Sequence, residues 1–536
     1  MNWKKAAALI LTAAIAASAM AGCSTGGSKS SAQKQKITWA LSDEPETLDP
    51  SQDNYLLSTN VLINMWTGLF KTDASNKLVK AICDSYTEDS SGLNYTFKIK
   101  TTAKWSDGKA VTAGDFEYSW KRVLNPDTAS PVASDLYALK NAKAYNSKQA
   151  TADSVGVKAV DDHTLQVTLE KPDANFLYYL AYVDTVPLRQ DVIEANKDWT
   201  KSASTYICDG PFKMTNYQPK QKYTLARNPY YYDAQNVKLQ NLNLVFISSA
   251  DSELAAYTSN EIDVDANLSA QGLKQFQKSS ELHNVARIGT GYYDFNCTAK
   301  PFTDARVRKA FSMAIDRKQI INNILQSGEK AAEGEVPYGV NDPAQTSKQF
   351  RDVSGNLVTE NVTQAKQLLA DAGYPNGTGM PAITLVCKAN DTEKDVAQAL
   401  QSMWKTNLGV QVDIKTIDSK VYWTEVHQGN FTIASDGWTA DYPDPVDHLN
   451  QFITSANAKN NRWSNADYDA LIEDSTNTQD QKQRSQDLVK AEKLLMDQMP
   501  IMPLRFFVAT YIAKPSIKGI RSDYSGHMIF ENAYVQ

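Results

Sequence analysis

The carboxylates Asp441, Asp444 and Asp447 recur every three residues around Tyr442-Pro443 and offer three kinds of chemistry. As a turn, the run from Asp441 to Pro445 uses aspartate to cap backbone amides. As hard oxygen donors, the three suit calcium. As an anionic anchor, Asp441 suits a charged ligand, because a buried ion needs an opposite charge to replace its lost hydration. A basic group, Arg306, Arg308, Lys309 and Arg317 around apolar Val307, Phe311 and Ile315, fits phosphate binding or, more simply, a solvated helix face with Arg beside Asp. The histidines at 163, 283, 427, 448 and 527 form no H-E-x-x-H, and there is no C-x-x-C, no G-x-S-x-G and no Walker-type loop. These absences count against an enzyme, and no metal or other cofactor is expected.

The elements that must hold these residues alternate strands with amphipathic helices, a mixed α/β pattern. Strands are expected over 95–100, before the turn at Trp105-Ser106-Asp107-Gly108-Lys109, and over 163–169, 223–227 and 242–246. Thr112 should cap a helix ending at Leu124, with Asp115 in its first turn and Phe116, Trp120 and Val123 on one face. Past Asn296 the helices lengthen: 303–315, 363–372 stopped by Gly373, 396–408 followed by a strand over 410–414, and 485–499 before Pro500. With 536 residues and 42% apolar content the chain can bury a large core in two to four domains. A formal charge of −6 with no basic block argues against nucleic acid as a partner.

Lys4 and Lys5, the apolar run 6–19 and Met20-Ala21-Gly22-Cys23 make the charged, apolar and small-residue zones of a secretory signal, too short to span a bilayer. Small residues on both sides of the scissile bond before Cys resemble the lipobox of bacterial lipoproteins, with Met20 where Leu is commoner. That resemblance implies loss of residues 1–22, acylation of Cys23 as a double-chain anchor, and a flexible tether over 23–35. The chain would then sit on the extracytoplasmic face of the cell membrane. Cys83, Cys208, Cys297 and Cys387 are widely separated, and their spacing selects no pairing.

Six phrases follow in order: Leu48-Asp49-Pro50; Lys104-Trp105-Ser106-Asp107-Gly108-Lys109 with Asp115-Phe116; Asp209-Gly210-Pro211-Phe212; Arg227-Asn228-Pro229-Tyr230-Tyr231-Tyr232-Asp233; Phe295-Asn296 running into Arg306-Val307-Arg308-Lys309-Ala310; and Gly437-Trp438-Thr439-Ala440-Asp441-Tyr442. Together they are similar to those of the extracellular solute-binding proteins of peptide ABC importers, in the oligopeptide-binding branch. The resemblance implies a bilobal periplasmic-binding-protein-like α/β fold with two hinge crossings. The first lobe would comprise 36–66, 183–288 and 509–536, an extra subdomain 67–182, and the second lobe 289–508. It also implies an oligopeptide ligand, membrane permease subunits as partners and a monomer.

Within that family the Asp of the Gly-Trp-x-Ala-Asp-Tyr phrase receives the peptide's N-terminal amine, which gives Asp441 that role. The backbone of Gly437, Trp438 and Thr439 would form one side of an extended-peptide sandwich, and Asn54 and Leu56 the other. Tyr292, Asp294, Asn267 and Phe507 are further candidates by their position beside matching phrases. Tyr292 and Phe507 equally suit core packing, and Asp294 a structural acceptor near the hinge. Departures from better-known members bear on the pocket. Val426 and Ser435 stand where those members carry basic residues for peptide carboxylates. Val132 and Asp135 replace two aromatics, and Gly289 and Thr439 replace a cysteine pair. Relatives of the same fold take nickel complexes, haem or oligosaccharides, which are the alternative ligands.

Overall fold

The two longest strands, Leu282–Phe295 and Ile501–Ala513, run antiparallel along one another and tie the halves of the molecule together. The computed structural model describes residues 35–536, so the signal segment, Cys23 and the tether through Lys34 lie outside the described residues. Both crossing strands belong to an eleven-stranded mixed sheet. Beyond Ile501–Ala513 come, in order, Val264–Asp265, Lys36–Leu41, Asn241–Phe246, Lys222–Arg227 and Phe212–Gln218. Beyond Leu282–Phe295 come Ile433–Thr439, Thr384–Lys388 and Asp413–Ile417. The short strand Lys330–Ala331 pairs with Ile501–Ala513 off this path.

Each half of the sheet has its own core. One apolar cluster draws on Ile37, Trp39, Leu242, Leu244 and Val264, and takes in Phe97 of a separate four-stranded antiparallel sheet, Phe116 and Trp120 of its helix, and Trp105 of the turn between them. Two others are built from Tyr293, Phe311, Leu385 and Trp404, and from Tyr292, Val446, Leu488 and Leu495. Among the described residues only the two crossing strands run continuously through both halves of the sheet. Their register holds from Leu282↔Ile512 to Ala286↔Val508, breaks, and resumes at Thr290↔Phe506. The bulge so formed, over Arg287, Ile288 and Gly289, adds local twist where the first crossing strand changes neighbours.

Local chemistry explains the elements. The helix Ala113–Leu124 is closed by a capping box in which the Asp115 carboxylate accepts from the Thr112 N–H at 2.8 Å, as its sequence predicts. The strands Asn94–Ile99, Thr164–Thr168, Lys222–Arg227 and Asn241–Phe246 fall where alternation places them, within a residue at each end. Three expectations are corrected. The helix Asp391–Leu408 starts five residues before the predicted Val396, because Asn390 caps a polar first turn that carries no apolar periodicity. The last long helix likewise starts at Gln481, capped by Asp480. The basic group is not one solvated face: Arg306 pairs with Asp304 at 2.6 Å, but Arg308 and Arg317 are buried. Arg308 donates to the carbonyls of Phe302, Gln498 and Met499, and Arg317 to Pro503 and Ser312, so these two guanidiniums tie chain ends rather than meeting solvent.

Candidate functional site

Ile433–Thr439 pairs along its whole length with the first crossing strand, from Phe295↔Ile433 to Gly289↔Thr439. On its other side Thr384–Lys388 reaches only Ile433 and Ala434. Among the described residues Asp436, Gly437, Trp438 and Thr439 therefore have no neighbouring strand on that side, where the Gly437 N–H donates to Asp436 Oδ1 at 2.7 Å, and they offer a short template for one more extended chain. Gly289 and Thr439 stand directly opposite each other.

The face of this segment is shaped by Phe507. A Cβ on Gly289, Gly291 or Gly437 would lie 2.6, 2.9 or 3.0 Å from its ring atoms, so the ring rests on a floor of three glycines. Arg287 and Arg505 flank the ring, with guanidinium carbons 5.7 and 5.6 Å from its centroid. Arg505 is also 3.2 Å from Glu329, whereas Arg287 forms no ion pair among the described residues.

Beyond Thr439 the chain is fixed at the crossing. The Ala440 N–H donates to Ile288 at 2.8 Å and the Ser525 hydroxyl to the Ala440 carbonyl at 2.9 Å. Asp441 follows, its N–H donating to Asp447 Oδ2 at 3.2 Å, the oxygen that also receives the Trp438 indole N–H at 2.8 Å. The Asp441 carboxylate has no hydrogen bond and no ion pair among the described residues. It lines a cavity of about 440 Å³ together with Asp135, Asp447, Tyr182 and Tyr442. Water reaches Asp441 through the cavity mouth, yet protein encloses it closely enough that burial, then the Asp135 charge, raises its pKa to about 6. Asp447 is raised by burial and by Asp441, and buried Asp184 by burial and by Asp135. Among the cavity-lining residues Lys171 alone carries a fixed positive charge. The site as it stands favours a cation.

The other readings of the aspartates resolve residue by residue. Asp444, not Asp441, caps the helix Pro445–Leu449, and it holds Arg484 through two 2.8 Å bonds. Among the described residues no group of three or more His, Cys, Asp or Glu is arranged to hold a metal ion.

The first-lobe candidates sit apart from Asp441. Asn54 is exposed, and Leu56, 53% exposed, opens the helix Leu56–Leu62. Leu56 and Asn267 line a second cavity, about 290 Å³, with Trp39, Asn60 and Arg287. Asn267 donates its side-chain amide to Glu253 at 2.8 Å and its backbone N–H to Asp265 at 2.9 Å, bridging two buried acids. Tyr292, 4% exposed, packs against Phe452, and Asp294, 1% exposed, accepts from Asn461 at 2.8 Å. These two side chains lie in the core and line neither cavity. Burial raises Asp294 to about 6 beside Asp436. Sequence reasoning passed over Tyr182 and Arg287, and weighed Asp447 only as a calcium donor. It noted Asp135 only as a lost aromatic, although a charge at that position was the available signal.

A profile of the bacterial extracellular solute-binding proteins, family 5 Middle, matches residues 77–460. The chain belongs to this family. It is similar to the oligopeptide-binding protein OppA of Bacillus subtilis (strain 168), with 32% identity covering 98% of each chain. Among solved structures it resembles the unliganded open form of the periplasmic murein tripeptide-binding protein MppA, with a TM-score of 0.81 and 29% identity over 94% of this chain and 98% of that one. It also resembles Listeria monocytogenes OppA bound to peptide, with a TM-score of 0.74 and 27% identity over 94% of this chain and 99% of that one. The fold of this family member is thus the bilobal α/β architecture of periplasmic peptide-binding proteins.

Proposed function

We propose that this protein is the extracellular oligopeptide receptor of an ABC importer, and that an extended peptide adds a strand to the free edge at Asp436–Thr439 with its N-terminal ammonium on Asp441. One observation carries the reading: among the described residues a strand edge without a neighbouring strand ends two residues before a carboxylate that has no ion pair. Main-chain pairing grips what every peptide shares, and the carboxylate rewards a charged amino end. Asn54 and Leu56 would close over the peptide from the first lobe. Asp135 and Asp447 set the negative potential, while Phe507 forms the floor beside it.

The lobes are assigned as 36–66, 183–288 and 509–536 for the first, 67–182 for the extra subdomain and 289–508 for the second, with the bulge at Arg287–Gly289 as part of the hinge. The TM-score of 0.81 to the unliganded open form of a relative supports a resting state with the lobes apart. A peptide touching both lobes would favour closure, since only a ligand with unequal affinity for two states shifts their balance. The closed form would deliver its cargo to permease subunits. In this reading Cys23 carries the lipid anchor, and the receptor works as a monomer.

Calorimetric titration with alanine-based peptides, amino-free and N-acetylated, tests the assignment. Acetylation is expected to weaken binding about tenfold to a hundredfold. Equal affinity for the two forms rules out Asp441 as the amine anchor.

A further inference from the structure

We propose that Arg287, at the hinge bulge, is a recognition site for a carboxylate of the bound peptide. This deepens the peptide-receptor reading and rests on it.

A guanidinium carries five donors, and a buried donor without an acceptor is costly. Arg287 has no hydrogen bond and no ion pair among the described residues, and its Nε is shut off from water with nothing to donate to. Trp39, 1% exposed, lines the same 290 Å³ cavity, and its indole N–H is likewise buried without an acceptor. Two orphaned donors on one cavity point to a missing acceptor. The remaining lining, which includes Leu56, Asn267, Val508 and Thr510, contains no carboxylate to supply one.

The nearest acid in charge terms is Asp523, but it is engaged elsewhere, accepting from the His527 ring and from the N–H groups of Ser525 and His527. It offsets part of the Arg287 charge at a distance and leaves the donors unfilled. Phe507 supports one side of the guanidinium, and Gly526 leaves the aliphatic stem room, since a Cβ there would stand 3.4 Å from Arg287 Cδ. A planar cation held in this way suits the two oxygens of a carboxylate.

Position adds to the case. Arg287 lies two residues before Gly289, whose ladder partner Thr439 lies two residues before Asp441. The unpaired acid and the unpaired base therefore flank one crossing, and the cleft is acidic around Asp441 and basic around Arg287. A zwitterionic or acidic peptide matches that polarity. The carboxylate comes from the peptide's C-terminus or from an Asp or Glu side chain.

The test uses the whole mature chain and calorimetry with alanine tri-, tetra- and pentapeptides. Each is offered as free acid and as C-terminal amide, and the amides also with Glu or Gln at each position. In the natural sequence at least one carboxylate peptide should bind about tenfold to a hundredfold more tightly than its neutral partner. A free-acid preference identifies the C-terminus as the source, and a Glu-over-Gln preference in the amides identifies a side chain. Arg287→Gln should bring that ratio near one while leaving the penalty for N-acetylation unchanged. Arg287→Lys, folded as judged by circular dichroism, should keep part of the ratio. The proposal is overturned if Arg287→Gln and Arg287→Lys retain the full ratio, or if no carboxylate is preferred anywhere in the series. If N-acetylation has no effect either, the peptide-receptor reading fails with it; if acetylation still weakens binding, only the Arg287 assignment fails.

Discussion

Lowering the pH from 7 to 5 is expected to weaken peptide binding about tenfold, through Asp441. The amine anchor works only when that carboxylate is ionised, and burial together with Asp135 raises its pKa to about 6. At pH 7 roughly nine-tenths of the receptors then carry the negative charge, and at pH 5 about one-tenth do, a difference of ~1.4 kcal/mol in apparent affinity. A peptide α-amine, with a pKa of about 7.7–8, stays charged across this window. Binding should also draw the Asp441 pKa down, because the ammonium favours the ionised form. Near pH 6 about half a proton should therefore leave per peptide bound, readable by calorimetry in buffers of different ionisation enthalpy. Asp135 faces the same cavity, so the titration belongs to the pair, and Asp135→Asn should move the midpoint toward lower pH. Asp441→Asn should abolish both the pH dependence and the proton release. A flat affinity between pH 5 and 7 in the natural sequence, or a dependence that survives Asp441→Asn, would refute the reasoning.

In the empty protein the same carboxylate is a burden. Its folded value lies above the ordinary 3.8, so its contribution to stability is intact below about pH 4 and is lost as pH rises through about 6. Scanning calorimetry should accordingly find Asp441→Asn with a higher Tm at pH 7 and an unchanged Tm at pH 3.5 (roughly the acid limit). Gly289→Ala pushes a methyl to 2.6 Å from Phe507 and 2.7 Å from the Trp438 carbonyl, and should cost about 1–3 kcal/mol in urea denaturation. Adding Phe507→Ala should relieve part of that loss, since the carbonyl contact remains. Glu492, fully buried, accepts from Arg351 at 2.5 and 2.7 Å and from the N–H groups of Glu335 and Val336. Glu492→Gln leaves Arg351 charged and underpartnered, and a loss of about 3–5 kcal/mol is expected by the same denaturation assay.

What could be read from the residues follows a physical divide. Alternation and capping act over a few neighbours, so the strand Asn94–Ile99 and the Thr112 cap were visible directly. The early start of Asp391–Leu408 was not, because its first turn is polar all round and is held by Asn390 rather than by an apolar stripe. Arg308 and Arg317 look like surface charges until the chain folds back carbonyls from residues 498–503 onto them. The same limit applies to the site. Asp441 could be proposed because its phrase is contiguous, whereas the Gly289↔Thr439 pairing joins residues about 150 apart in the chain and was approached only through the resemblance. Asp135 reaches the Asp441 cavity from three hundred residues away (about that span in the chain), and Arg287 earns its place only by lacking a partner that the fold withholds.

The bare strand edge at Asp436–Thr439 has a consequence for the unoccupied receptor. Open backbone groups invite any extended segment, including the same segment of a neighbouring copy, and so carry a risk of self-association. Here that stretch is only four residues long, its Gly437 N–H already donates to Asp436 Oδ1, and it ends two residues before Asp441. Two copies laid edge to edge would gain few bonds, so the empty protein is guarded by the shortness of the edge it offers.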